Sequence, residues 1–242
     1  MGRHGKRYLD AKKAIDPDRE YEPSEAVSII KQQQLTAFDA TIEVHIRLGV
    51  NVRHAEEQLR GTISLPHGTG ADVSVAVFAE GDKAREAEEA GADVVGSDDL
   101  ATKIQEGFDE FDIAIATPDM MGTVGKLGRI LGPAGKMPNP KSGTVTMDVA
   151  KAVEEVKAGK VEYRTDRAAI VHISIGKLSF PEEELLANYA AVIEEIVRVK
   201  PAATKGRYIL SISMAQTMGP GVRIDTTRTS DITEPLQEAP AA

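Results

Sequence analysis

The sequence has no cysteine and no tryptophan, and only five phenylalanines and five tyrosines among its 242 residues. Without cysteine the chain forms no disulfide, carries no thiolate nucleophile and builds no Cys-ligated zinc or iron–sulfur site. With so few rings, any stacking on nucleobases must rest on a handful of positions. No apolar run approaches the roughly 18–20 residues of a membrane-spanning helix. The basic start, Met1 to Arg7, is followed by no apolar stretch. No secretory signal is therefore expected, and a cytoplasmic, soluble protein is. The five histidines, His4, His45, His54, His67 and His172, fall in no H-E-x-x-H or H-x-H arrangement, so no metal centre is expected. Acid pairs such as Glu88-Glu89 and Asp98-Asp99 read as solvated helix faces. No serine or threonine has a paired base, and no catalytic residue is assigned.

Hydrophobic residues make up 41% of the chain and charged residues 28%, enough for a buried core. The net charge is −9, which argues against nucleic acid until it is divided along the sequence. Two loop-like stretches, Pro66–Gly70 and Ala158–Lys160, mark the boundaries. Residues 1–68 carry ten basic and ten acidic side chains, and residues 69–158 carry nine and seventeen. Residues 159–228 carry ten and eight, and residues 229–242 carry none and three. The middle is thus strongly acidic while the two flanks together are slightly basic, a sign asymmetry expected of separate domains with separate partners.

The middle segment alternates strands and helices. Val73–Phe78, Asp93–Val95 and Ile113–Ala116 are β-rich apolar runs. Asp82–Ala90, closed by Gly91, and Asp98–Phe108, with Ser97 as its N-cap, read as helices. Pro118 opens a further helix, and Asp148–Ala158 shows the 3.6-residue apolar period. This order predicts a small parallel sheet with helices on its faces. The flanks differ. Ser24–Gln34 is a short helix. From Ala40 to Leu48 apolar residues alternate with Thr41, Glu43, His45 and Arg47, the period of a half-buried strand. Lys160–Thr165 and Ala169–Ile175 are strands joined at Asp166–Ala168. Pro181–Val199 is a long helix with a capping box from Ser179 and Glu182. Ile209–Ala215 and Val222–Asp225 are further strands. The expected fold is an α+β two-domain one: a discontinuous α+β domain of residues 1–68 plus 159–228, with a Rossmann-like βαβ domain of residues 69–158 inserted. Three small units in a row are the alternative. The Thr/Pro/Ala/Glu-rich tail, 229–242, is expected to be disordered.

A nucleotide-dependent enzyme on the βαβ segment is one functional class to weigh. Its first strand ends in Ala79-Glu80-Gly81-Asp82, whose acids would repel a pyrophosphate where G-x-G-x-x-G belongs. Gly132–Met137 resembles the end of a phosphate loop, but Ile130 and Met137 stand where glycine and a hydroxyl are needed. A protein–protein adaptor using the acidic segment is a second class. A third is RNA binding. Residues 120–143 hold six glycines, three prolines and four bases (Lys126, Arg129, Lys136 and Lys141) without one acid, within the most acidic part of the chain. That is a basic surface of low bulk, which a phosphate backbone can approach closely. Thr217–Gly221 is a turn after a strand, with Gly219 and Gly221 available for positive φ and Met218 either packed beneath it or set against a ribose or base. Phe38 is core or a stacking platform.

Gly128-Arg-Ile-Leu-Gly-Pro-Ala-Gly-Lys-Met-Pro-Asn-Pro-Lys141 resembles the signature of large-subunit ribosomal protein one, the protein of the mobile stalk near the ribosomal exit site. His4–Tyr8, Arg60-Gly61, Leu65–Gly68, Ala116–Asp119 and Thr217–Pro220 carry the same resemblance, which runs from about residue 1 to 228. It implies a discontinuous RNA-binding domain with an inserted Rossmann-like domain. It further implies a non-enzymatic protein without cofactor, monomeric outside the ribosome and cytoplasmic on the large subunit. Its implied partners are the stalk region of large-subunit ribosomal RNA, exit-site transfer RNA, and its own messenger RNA, whose translation it represses. By the family's motifs, RNA contacts fall on Phe38, Thr41, Thr217, Met218 and Gly219, with Arg164, Asp166, Arg167, His172 and Ser211 as further candidates. Lys126, Arg129, Lys136 and Lys141 form a possible secondary RNA surface. Relatives often have Lys before the aromatic and Thr-Thr before the turn; here Ala37 and Ala215-Gln216 stand there.

Overall fold

The computed structural model of the protein describes residues 5–227. His4 and the expected disordered tail, 229–242, lie outside the described residues. The fold is mixed α and β, with helices packed on sheets. The described chain divides into two compact units. One comprises the residues up to Leu59, Leu65–Ala71 and those from Tyr163 on; the other comprises Arg60–Ser64 and Asp72–Glu162.

The first unit is built on four antiparallel strands in the order β7-β1-β8-β9: β1 (Thr41–Leu48), β7 (Ile170–Lys177), β8 (Ile209–Gln216) and β9 (Val222–Ile224). In β1 the side chains of Ile42, Val44, Ile46 and Leu48 are buried, while Thr41, Glu43, His45 and Arg47 stand on the other face. Two helices cover the buried face, α2 (Pro23–Gln32) and α8 (Glu182–Arg198). Their apolar stripes, Ala26, Val27 and Ile30 on one and Leu185, Tyr189, Val192, Ile193 and Ile196 on the other, are shut off from solvent. Because both helices lie on one side, the opposite face stays open, as an antiparallel sheet permits. Asn188 of α8 is wholly buried, yet its amide is satisfied. It donates to Gly68 O at 2.9 Å and Ile175 O at 2.8 Å and accepts from His67 N at 3.1 Å. That residue ties the 65–71 loop to the sheet.

The second unit holds three parallel strands in the order β4-β3-β5: β3 (Val75–Phe78), β4 (Val94–Gly96) and β5 (Ile113–Ala116). Every residue of β3 is buried, because helices cover both faces. Val75, Val77 and Ile115 pack against α3 (Asp82–Glu89) and α7 (Val149–Lys157). Ala76, Phe78, Ala114 and Ala116 pack against α4 (Asp98–Gln105), α5 (Met121–Lys126) and α6 (Gly128–Ala134). The polar–apolar alternation expected of β1 and the succession of strands and helices expected of the middle segment are both present.

Several local expectations are corrected. The Ser97 side chain makes no capping bond; instead Ser97 N donates to Asp99 at 2.8 Å. No capping box opens α8, whose N-cap is Pro181. Ser179 bonds to Asp39 through both its amide (3.1 Å) and its hydroxyl (2.7 Å), and Glu182 accepts from Ser28 at 2.8 Å. Longer-range partners thus outcompete the local ones. Two elements had no expectation: α1 (Lys6–Lys13) and β2 (Arg60–Ser64), which pairs with β6 (Lys160–Arg164).

Candidate nucleic-acid interface

One end of the open sheet gathers five of the residues singled out in the sequence. β1 begins at Thr41, which lies opposite Lys177 of β7. β8 ends at Gln216, opposite Ile42, and runs directly into the Thr217–Gly219 turn. Gly219 N donates to Gln216 O at 2.8 Å and closes that turn, while Thr217 N donates to Thr41 O at 2.9 Å. The Thr217 hydroxyl accepts from Thr41 N at 3.1 Å and donates to Thr41 O at 3.2 Å. Its hydrogen is therefore used, and one oxygen lone pair remains to accept from a ligand such as a ribose 2′-hydroxyl.

Met218 sits at the tip with φ +65°, in the left-handed region that turns normally give to glycine or asparagine. The positive φ assigned in the sequence to Gly219 or Gly221 falls on Met218 instead. Nor is Met218 packed beneath the turn: it is 77% exposed. Gly219 is required for space, because a Cβ there would lie 2.5 Å from Gln216 Cγ. Phe38 is 57% exposed and is no core residue. Its neighbours hold it in place: Thr36 Oγ1 donates to Phe38 O at 2.9 Å, Asp39 is bound by Ser179, and Leu178 N donates to Ala40 O at 2.8 Å. A ring and a thioether exposed on anchored backbone can cover a base or a sugar face with little ordering cost.

Of the other candidates, His172 and Ser211 lie on strands of the face, while Arg164 ends β6 and Arg167 lies in the turn before β7. His172 lies at mid-sheet, opposite His45 of β1. Ser211 is exposed and opposite Arg47, about 20 Å along β1 from Thr41 at the rise of an extended strand. Arg164 and Arg167 are exposed just before β7. Asp166 is a turn-builder: it accepts from Ala168 N at 2.8 Å and Ile170 N at 2.7 Å. Those bonds, above all the one from Ile170, hold its carboxyl below the usual range. Between the ends of the face lie Ser174, Ser213 and Ala215, small side chains that leave it flat. In the second unit, Lys126, Arg129 and Lys141 are exposed, but Lys136 is committed to Asp109 at 2.5 Å and lies over the Phe111 ring.

Three contributors escaped the sequence reading. Lys177 donates to Thr41 Oγ1 at 3.0 Å and brings a cation to the end of the face where Ala37 supplies none. Gln216 is buried, and its amide nitrogen donates to Gln33 O at the end of α2, fixing the turn's base. His45 sits at the centre of the face. Only strand register brings these together with Phe38 and Thr217; Lys177 and Thr41 are far apart in the chain.

These contacts fix what Thr217→Val will do. It deletes both hydroxyl bonds to Thr41, so a loss of about 1–2 kcal/mol in folding stability is expected as well as weaker RNA binding. Thr217→Ser keeps the hydroxyl and should retain both properties. Urea unfolding of the two variants is the check, and equal stabilities would show the hydroxyl to be idle.

No helix among the described residues is long and apolar enough to cross a membrane, and no group of three or more His, Asp or Glu among them could hold a metal ion. The strand ends of the second unit carry Glu80, Asp82 and Asp119 and none of the phosphate-binding loops sought in the sequence. The sequence model of the ribosomal protein L1p/L10e family matches residues 30–220, a span that holds the interface from Phe38 to Gly219 and well over half of the chain. The chain therefore belongs to the ribosomal protein L1p/L10e family.

Proposed function

We propose that the protein binds the stalk region of large-subunit ribosomal RNA through the open face of the β7-β1-β8-β9 sheet, with the Thr217–Gly219 turn as its anchor. Membership in the family makes the chain a large-subunit ribosomal protein that binds ribosomal RNA, not a member of an enzyme family. The observation that carries the finer reading is the exposed Met218, at left-handed φ in a turn bonded to Thr41, together with the exposed Phe38 shortly before Thr41 in the chain. Folded RNA is recognised through shape, riboses and stacked bases, and a flat face with one apolar prominence suits that. Arg47, Arg164, Arg167, Lys177 and Arg223 supply cations for phosphates.

In the same reading, the flanks 1–68 and 159–228 form a discontinuous RNA-binding domain and residues 69–158 an inserted Rossmann-like domain. The charge split between them supports a division of labour. The protein assists movement and release of exit-site transfer RNA, for which the exposed Lys126, Arg129 and Lys141 are a candidate secondary RNA surface. It represses translation of its own messenger RNA when that message presents a similar RNA shape to the same face. It works in the cytoplasm, on the large subunit, and is a monomer away from it.

The test is ultraviolet crosslinking of the full chain to a transcript of the stalk region, followed by identification of the crosslinked peptides. Crosslinks are expected at 36–41 and 211–219. Crosslinks confined to 72–162 would overturn the reading. With about 4–6 phosphate contacts, log K should fall against log[salt] with a slope of roughly −3 to −5.

A further inference from the structure

At the centre of the open face four titratable groups form a row. His45 and His172 face each other across β1 and β7 in direct register, with Nδ1 to Nδ1 at 2.8 Å and ring centroids 5.0 Å apart. Outside them stand two carboxylates. Glu43 Oε2 lies 3.8 Å from His45 Nε2, and Asp166 Oδ2 lies 3.5 Å from His172 Nε2. The ring-to-ring gap and the Asp166–His172 gap are within hydrogen-bond reach and each takes a proton, while Glu43 faces His45 Nε2 at ion-pair distance. Two neutral imidazoles carry only two N–H groups between them. In the neutral state those two protons fill the two hydrogen bonds, and His45 Nε2 faces the Glu43 carboxylate without one.

Opposing forces decide whether the third proton stays. Burial, and then the neighbouring His172 ring, hold the His45 imidazole below the usual histidine range, and Glu43 opposes them. The rest of the face adds little. Ser174 and Ile170 on β7 and Ser211, Ser213 and Ala215 on β8 are uncharged. The cations are Arg47, two residues along β1, and Arg223 of β9, which pairs with Ser213 one strand beyond His45. A phosphate laid between those arginines and the two rings would reverse the balance, because an anion favours the imidazolium form.

We propose that His45 and His172 act as one proton-sharing contact for the RNA phosphate backbone, so that RNA binding is accompanied by uptake of a proton. This rests on the reading of the open face as the RNA surface. The proton comes from solvent and gives the row a third N–H, on His45 Nε2, the partly exposed edge that faces Glu43 across 3.8 Å and that a phosphate can share. The pair then bears a single positive charge, which the depressed His45 takes up less readily in the unbound protein. Acid should accordingly have opposite effects on the two states. In the unbound protein the depressed His45 binds protons less readily than in the unfolded chain, so stability should fall as pH drops below about 6.5. In the RNA complex, affinity should rise over the same interval.

The experiment uses the full chain and a transcript of the stalk region, titrated calorimetrically at pH 7.5, 6.5 and 6.0 in buffers of different ionisation enthalpy. The expected result is uptake of between about half and one proton per complex near pH 6.5, and a Kd tightened roughly three- to tenfold from pH 7.5 to 6.0. His45→Gln and His172→Gln should each abolish the uptake and flatten the pH dependence. Without RNA, NMR titration of the two rings should show one coupled protonation, which becomes an ordinary single titration of His45 in His172→Gln. RNA binding with no proton uptake near pH 6.5, or uptake that persists in both variants, would overturn the proposal while leaving the RNA reading intact. Coupled rings in the NMR titration together with no RNA binding at any pH would overturn the RNA reading, and the proposal with it.

Discussion

Gly219→Val is expected to lower the thermal midpoint and to weaken binding to a stalk-region transcript by tenfold or more. Even a bare Cβ at this position lies 2.5 Å from Gln216 Cγ and 3.1 Å from Gln216 O. Neither atom can yield cheaply. Gln216 O accepts the Gly219 amide that closes the turn, and the Gln216 side chain is buried and donates to Gln33 O. Something in the base of the turn must shift, and overpacking of this kind costs about 1–3 kcal/mol. In a chain of this size each kcal/mol is worth about 2–4 °C in the midpoint. The shift carries Thr217 and Met218 away from the register that Thr41 imposes, so affinity falls with stability. Gly221→Ala is the control. A Cβ there meets nothing within 4 Å, so that variant should melt and bind like the wild type. Equal behaviour of the 219 and 221 variants would remove the steric argument.

Local pattern exposed most of the architecture, because it reports burial directly. The alternation over Thr41–Leu48 is reproduced residue by residue in β1, and the unbroken apolar run of β3 reflects helices on both faces. What escaped was set by distant partners. The Ser179–Glu182 pattern has the spacing of a capping box, yet Asp39 and Ser28 take those side chains. β2 is a short strand whose partner, β6, lies about a hundred residues on. At the interface, Phe38 and Met218 were conspicuous as apolar residues at places that loops and turns favour, but their exposure had to come from the structure. Motif resemblance supplied Thr41, Thr217 and Gly219. Alternation put His45 on the polar side of β1 with Thr41, but neither it nor Lys177 lies in a motif, and only cross-strand register pairs His45 with His172 and Lys177 with Thr41. Asp166 shows the converse: it was a candidate by position, and its carboxylate proves to be engaged with the turn before β7.

Phe38→Ala and Met218→Gly separate recognition from folding. The Phe38 ring is more than half exposed, and the backbone around it is fixed by Thr36, Ser179 and Leu178 rather than by the ring. Its removal should change folding stability by no more than about 0.5 kcal/mol. A ring that stacks on a base contributes about 1–3 kcal/mol, so affinity for the transcript should drop between roughly fivefold and a hundredfold. Salt dependence should stay as it was, since no charge is lost. Met218 makes the sharper case. Its left-handed backbone costs a non-glycine residue about 1 kcal/mol, and its side chain recovers nothing from packing at 77% exposure. Glycine at 218 should therefore raise stability by up to about 1 kcal/mol. It also deletes the apolar cap on the turn, and the affinity for RNA should fall severalfold. A variant that folds better and binds worse is what strain retained for a binding surface predicts. Urea unfolding and RNA titration of the same preparation measure both halves. If Met218→Gly proves more stable and binds RNA with unchanged affinity, the exposed thioether has no part in recognition, and Phe38 and the sheet face must carry it without the turn.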